Sequence, residues 1–220
     1  MPEGTVNQGI GASGRRKEDK RFLIGKGNYT DDINRAGQLH VYFLRSPVAF
    51  ADIVSIDKQK AEKASGVAAI LTGEDVAADG LGGPICGWAP TNKDGSAPSE
   101  PPHPILANGR VRYVGDHVAA VFAETLEQAM SAAELIDVTY SEMPAITDLK
   151  SAMNSPQIHD DMENNTYFDW ELGDEAATND AFDKAATIVN VDIRNNRVIP
   201  NAMEPRAAVA DYDAGDGRYT

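Results

Sequence analysis

The sequence predicts an α+β fold in which a mixed sheet carries packed helices. Two observations predict it. Residues 111–146 read as strand, helix and strand in succession, and residues 51–71 follow the same plan. A helix with one apolar face needs a sheet to bury that face, and two such units imply a sheet that serves both.

The elements can be justified in order. Leu39 to Leu44 alternates in polarity and reads as a strand, and Ala51 to Ile56 reads as another. Lys58 to Ser65 is a short polar helix, with Asp57 as its N-cap and Gly66 as its C-terminal stop. Val67 to Leu71 is a buried strand. In the second unit, Val118 to Phe122 is an apolar, β-branched run of strand character. Thr125 stands three residues before Gln128, the spacing of a capping box at a helix start. Leu126, Ala129, Met130, Ala133 and Ile136 follow at helical spacing and define one apolar face. Val138 to Tyr140 returns to strand, and Pro144 ends it. No sequence repeat relates the two units.

Other stretches are irregular. Gly25 to Asp32 is turn chemistry. Asp79 to Pro104 is dense in Gly and Pro and forms no regular element. Two readings of it stay open: a mobile surface loop, or a loop whose Ile85 and Trp88 pack on a partner subunit or neighbouring domain. Thr147 to Asp169 is a second irregular region and the expected domain boundary. Beyond it, Glu175 to Ala186 reads as a helix with Ala181, Phe182 and Ala185 on one face. Thr187 to Val198 and Val209 to Tyr212 read as strands, Asp213 to Gly217 as a turn, and Arg218 to Thr220 as a returning strand. A hairpin cut in its second arm is poorly paired, so the 220 residues are expected to be the front of a longer polypeptide.

Composition narrows the function. Hydrophobic residues make up 42% and charged residues 25%, as in an ordinary globular protein. A net charge of −14 argues against a broad basic face for nucleic acid or anionic membrane. The N-terminus has no apolar signal segment and no run reaches membrane-spanning length, so a cytoplasmic protein is expected. The single cysteine, Cys86, allows no internal disulfide and no cysteine cluster for iron and sulfur.

Several motifs have simple explanations. Gly9 to Gly14 spells G-x-G-x-x-G, but no buried strand precedes it and a charged run follows, so a dinucleotide turn is not expected. Arg15, Arg16, Lys17, Lys20 and Arg21, interrupted by Glu18 and Asp19, read as a solvated basic segment or as a contact to an acidic neighbouring surface rather than a nucleic-acid tail. His40, His103, His117 and His159 lie apart without metal-ligand spacing, and His117 sits at a strand start beside Asp116, where a surface turn explains it. Cys86 lacks any sign of a base or an oxyanion hole. Asp31-Asp32 and Asp160-Asp161 are expected to be solvated loop carboxylates. Pro200 to Arg206 is different, because Glu204 and Arg206 stand in an apolar context between two strand candidates. Buried, they need partners. They form either an ion pair clamping a strand corner or a support beside a cofactor pocket.

Five ordered pieces, GIGASGRRKEDKRFLIGKGNYTDDI, LHVYFLRSP, GVAAILTGEDV, VRYVGDHVAAVFAETLEQAMSAAELIDVTY and NRVIPNAMEPRAA, carry a resemblance over nearly the whole chain. Together they resemble the front of the molybdenum-binding large subunit of the xanthine dehydrogenase/aldehyde oxidase family, nearest to the aerobic carbon monoxide dehydrogenase type. The resemblance implies an irregular arm over 1–20, an α/β hammerhead domain over 21–146, a linker over 147–166, and over 167–220 the incomplete start of the first molybdopterin-binding domain, itself α+β. It implies a molybdenum hydroxylase that oxidises a small substrate with a water-derived oxygen. The implied cofactor is molybdopterin in its cytosine dinucleotide form. Electrons would leave through an iron–sulfur small subunit to an FAD-bearing medium subunit, in a dimer of heterotrimers when complete.

The family's cofactor-contacting glutamine would align just beyond Thr220, and its catalytic glutamate far later. The resemblance therefore implies no catalytic residue, no metal ligand and no bound cofactor for these residues alone. Only Asn201, Glu204 and Arg206 carry over, as supports near the pocket. A non-catalytic interaction or assembly module of the same fold is the alternative.

Overall fold

A computed structural model of the chain describes residues 16–203 and 205–220. In chain order its elements are α1 (Asp19–Leu23), β1 (His40–Arg45), β2 (Ala51–Asp57), α2 (Gln59–Glu62), β3 (Val67–Thr72), α3 (Gly73–Ala78), β4 (Arg110–Val111), β5 (His117–Ala123), α4 (Leu126–Ala133), β6 (Asp137–Glu142), α5 (Glu175–Asp183), β7 (Tyr212–Asp213) and β8 (Arg218–Tyr219). The residues group into two units, one of Gly37–Asp192 and one of Met1–Ala36 with Ile193–Thr220.

The larger unit holds two three-stranded sheets, ordered β1-β5-β3 and β4-β2-β6. The α+β class is as expected, but the pairing is not mixed: every described strand pair is antiparallel. The reason lies in the connections. A helical crossover makes neighbouring strands parallel only when it returns the chain to the same sheet. Here α2 leads from β2 in one sheet to β3 in the other, and α4 leads from β5 back to β6.

Strand β5 is the centre of its sheet, and Val118, Ala119, Val121 and Ala123 on it are fully buried. Helix α4 packs on this sheet through Ala129, Ala132 and Ala133, joined by Ile136 just beyond its end. Their spacing is i, i+3, i+4, i+7, and alanine lets helix and sheet approach closely. Leu126 and Met130, expected on this face, are instead 44% and 43% exposed at its edge. The predicted capping box is formed: Gln128 N–H donates to Thr125 Oγ1 at 3.2 Å, and Thr125 N–H donates to Gln128 Oε1 at 3.0 Å. A second core cluster, Ala51, Ala107, Val111 and Val118, joins the two sheets.

Helix α2 is shorter than expected, although Asp57 Oδ1 does accept the Gln59 N–H at 3.1 Å. Gly66 after it has φ +80°, and a Cβ there would collide with the Gln128 side chain. Helix α3 has no counterpart among the expected elements. Asp75 Oδ2 accepts from Thr72 N–H at 2.7 Å and from Thr72 Oγ1 at 2.9 Å. These bonds, the backbone one foremost, hold the Asp75 carboxyl below its ordinary range.

The irregular 152–166 stretch is tied by one side chain. Asn165 Nδ2 donates to the carbonyls of Ala152 and Pro156, and its Oδ1 accepts the Ile158 N–H at 2.8 Å. Helix α5 forms over Glu175–Asp183 but buries nothing, so the expected apolar face of Ala181, Phe182 and Ala185 stays exposed. The strand expected over Thr187 to Val198 does not form. The pattern is present, but no strand among the described residues lies beside it, and Val189, Val191 and Val198 are each more than 70% exposed. An extended segment without a ladder partner leaves its backbone to water.

In the smaller unit, part of the basic segment forms α1, which buries no residue, with Arg16 paired to Asp19 at 3.1 Å. Arg35 pairs with Asp211 at 2.6 Å. The terminal hairpin is shorter in its first arm than expected, β7 against β8, and the rings of Tyr212 and Tyr219 stand 4.6 Å apart across it. The G-x-G-x-x-G of 9–14, Arg15 and Glu204 lie outside the described residues.

Candidate functional site

Asn201, Pro205 and Arg206 are exposed, and Met203 projects fully into solvent. Ile199, immediately upstream, is 84% exposed. The Glu204–Arg206 ion pair weighed from sequence involves a residue outside the described set. Chemically, the Asn201 amide and the Arg206 guanidinium are donors suited to phosphate or to the polar edge of a heterocycle. That donor set fits a molybdopterin, and both side chains are exposed.

The Gly- and Pro-rich 79–104 loop is partly fastened, and Trp88 meets side chains of its own unit rather than a partner subunit or neighbouring domain. Its ring meets Phe168 edge-on at 5.7 Å and Trp170 edge-on at 5.9 Å. Backbone bonds run alongside: Lys93 N–H donates to Asp169 O and Ser99 N–H to Tyr167 O, both at 2.8 Å. Asn92 Oδ1 accepts the Asp169 N–H at 2.9 Å, and Lys93 Nζ pairs with Asp169 at 2.8 Å. A cleft of about 160 Å³ lies between the two stretches, lined by Asn92, Asp94, Ser99 and Phe168 among others. Ile85 is not part of this packing and is 93% exposed. The Cys86 thiol donates to Trp88 O at 2.9 Å, and its hydrogen bond to Tyr167 raises the tyrosine phenol. Carbonyl and phenol are no general base for a nucleophilic thiol.

His117 is the first residue of β5, just after the turn at 113–115, as its expected place at a strand start has it. It is half-buried and stacked on Phe43 at 4.7 Å, and its Nε2 has no hydrogen-bond partner. Burial, with help from Arg45, holds its imidazole below the ordinary range. His159 Nδ1 is likewise buried without a partner, and burial and Arg112 lower its imidazole. Asp160 is more than a solvated loop carboxylate. Arg110 Nε donates to Asp52 Oδ1 at 2.6 Å and its Nη1 donates to Asp160 Oδ1 at 2.8 Å. The guanidinium also lies over the Phe50 ring at 5.6 Å. This clamp joins the 158–160 stretch to the edge of the β4-β2-β6 sheet, and the sequence carries no spacing that would reveal it. Among the described residues no three His, Cys, Asp or Glu side chains form a group that could hold a metal ion. No helix among them is long and apolar enough to cross a membrane.

Comparison with known proteins adds the following. Residues 24–144 match the aldehyde oxidase and xanthine dehydrogenase a/b hammerhead domain, and residues 158–220 match the molybdopterin cofactor-binding domain. The carbon monoxide dehydrogenase large chain of Hydrogenophaga pseudoflava is 34% identical over 218 residues, covering 93% of this chain and 26% of that one. The nicotine 6-hydroxylase large subunit of Paenarthrobacter nicotinovorans is 32% identical over 212 residues, covering 95% of this chain and 25% of that one. Among solved structures, quinoline 2-oxidoreductase from Pseudomonas putida 86 superposes with a TM-score of 0.77 at 35% identity, over 93% of this chain and 25% of that one. The chain thus spans about a quarter of the length of the curated relatives that match it over nearly all of its length.

Proposed function

The chain belongs to the aldehyde oxidase and xanthine dehydrogenase family, and we propose that it serves as the front part of a molybdenum hydroxylase large subunit. In this reading, residues 1–20 are an arm, 21–146 the hammerhead domain, 147–166 a linker, and 167–220 the start of the first molybdopterin-binding domain. The observation that carries the proposal is the ordered pair of domain matches, hammerhead and then cofactor-binding, in a chain 34% identical to a carbon monoxide dehydrogenase large chain over nearly its whole length.

When bound, the molybdenum–pterin group, in its cytosine dinucleotide form, supplies the oxidation of a small substrate with an oxygen taken from water. This chain's own residues have a supporting task. The two sheets and α4 make a rigid body, and a rigid scaffold holds neighbouring loops in place. Asn201 and Arg206, with Glu204 between them, would support one wall of the pocket by donating to the cofactor or to the residues that hold it. The remaining walls come from the rest of the large subunit, so these 220 residues alone are inactive. The partners are an iron–sulfur small subunit and an FAD-bearing medium subunit, arranged as a dimer of heterotrimers in the cytoplasm.

The test uses the full-length large subunit that carries this sequence, purified with its partner chains. Substrates of several classes, carbon monoxide, aldehydes and heterocycles, are offered in isotopically labelled water. Label in the oxidised product, together with molybdenum and pterin in the protein, supports the proposal. A preparation with neither metal nor turnover supports the non-catalytic module instead.

A further inference from the structure

We propose that the aromatic ridge of Trp88, Phe168 and Trp170 is the docking surface for a separate partner polypeptide that presents arginine or lysine around an apolar centre. The inference rests on the multi-subunit reading above and adds to it a place and a chemistry. Trp88 is 56% exposed, Trp170 46% and Phe168 38%, yet the Trp88 ring packs edge-on against both of the others. Scattered apolar side chains on a surface are ordinary, whereas a contiguous aromatic cluster marks an interaction site. Ile85 and Leu172, close to these rings in sequence, are 93% and 87% exposed and widen the apolar surface.

The ridge is held in shape before any partner arrives. The backbone bonds from Lys93 and Ser99, and the Asn92 side chain, fix the two stretches to each other. A preorganised surface loses little entropy on association, and tryptophan is the residue type that most often dominates binding energy.

The surroundings are acidic. Asp169, through its hydrogen bond, and then Glu171 and Glu175 by their charge all act on Lys93 and raise its ammonium. Glu100 acts on Tyr167 from the other side. Lys93 is the one cation among these groups and is already paired with Asp169. A second copy of this chain, with a net charge of −14, would bring like charge to this rim. A basic rim would meet complementary charge, and a guanidinium over an exposed indole adds a cation–π contact.

The experiment measures how the full-length large subunit binds its purified partner chains, with subunit composition read by native mass spectrometry. Three proteins are compared: the unaltered chain, Trp88→Ala with Trp170→Ala, and Glu171→Lys with Glu175→Lys. The aromatic variant is expected to weaken association of one partner chain by about tenfold or more. The charge variant alters two exposed positions on a face that buries nothing, so it keeps the fold even where the aromatic variant does not. It is expected to weaken the same association at low salt, with the effect shrinking as salt rises. Unchanged affinity of every partner chain for the charge variant at low salt overturns the inference while leaving the functional reading intact. Loss of self-association alone would assign the ridge to a second copy and also overturn it. An unaltered large subunit that binds no partner chain overturns the inference and the multi-subunit reading together.

Discussion

Helices α4 and α5 are similar in length, eight residues and nine, and each begins with a side chain accepting a backbone N–H, Thr125 in one and Asp174 in the other. Each is followed by a sequence of strand character. Yet α4 buries three alanines and leads into β6, which pairs with β2 along its length, whereas α5 buries nothing and leads into 187–198, which pairs with no described strand. Caps and periodicity thus fix where a helix or an extended segment begins. Whether it is buried depends on a complementary surface, and local sequence does not contain that surface. The region from α5 through Ile199 has the patterning of core elements, yet its apolar side chains are exposed.

This contrast can be broken or sharpened by paired substitutions in the 220-residue protein. The largest effect is expected at Val121, fully buried between β1 and β3. Val121→Asp places an unpaired charge in the core and should cost on the order of 4 kcal/mol or more, enough to abolish cooperative unfolding. Val191→Asp, at a side chain 71% exposed, should shift stability by no more than about 0.5 kcal/mol in urea denaturation. A large loss from Val191→Asp would mean that the open segment is packed after all.

A smaller pair concerns two glycines. Gly66 and Gly109 both have positive φ, +80° and +72°, but only Gly66 has a neighbour within 4 Å, the Gln128 side chain. Gly109→Ala should cost about 1–2 kcal/mol from left-handed strain alone. Gly66→Ala should cost about 1 kcal/mol more, because Gln128 must leave the capping box to make room. Equal losses at the two positions would show that the box contributes little.

Next come the caps. Thr125→Ala should lower the stability of the larger unit by about 1 kcal/mol. Asp174→Ala should reduce the helicity of 175–183 and leave the unfolding midpoint where it was, since α5 buries nothing. Circular dichroism and denaturant melts, taken together, separate the two results.

The smallest effect is a pH dependence. The folded His117 imidazole is held below the value it has in the unfolded chain, mainly by burial. Above that unfolded value, near 6.5, both states are neutral and stability is complete. As pH falls below it the unfolded chain takes up the proton first, so stability declines until the folded imidazole is also protonated. His159 shifts in the same direction for the same leading cause. Replacing His117 with Gln should flatten part of this decline between pH 7 and 5, and an unchanged slope would assign it elsewhere.

Apart from the two-residue β4, the strands of the larger unit and the start of α4 were legible because each rests on a short-range pattern: apolar runs, alternation, and threonine three residues before glutamine. The same box at Thr72 and Asp75 is harder to see because aspartate, not glutamate or glutamine, closes it. Sheet membership was not legible. A strand–helix–strand pattern is the same whether its strands enter one sheet or two, and that choice turned the expected mixed sheet into two antiparallel ones. For the candidate site, Gly and Pro density showed that 79–104 is a loop, but whether it packs stayed open and nothing local named Phe168 and Trp170. The Arg110–Asp52–Asp160 clamp joins positions 58 and 50 residues apart and has no sequence signal. Glu204 and Arg206 stood out as charges in an apolar stretch, whereas Asn201 came from the family resemblance alone.

The central claim is that these residues are scaffold for a molybdenum centre completed by the rest of a longer chain. Elemental analysis tests it most directly, comparing the 220-residue protein with the full-length subunit, both produced in cells that make the cofactor. The account predicts molybdenum and pterin near one per chain in the full-length subunit and only trace amounts in the 220-residue protein. Stoichiometric molybdenum in the 220-residue protein, or none in the full-length subunit, would contradict it.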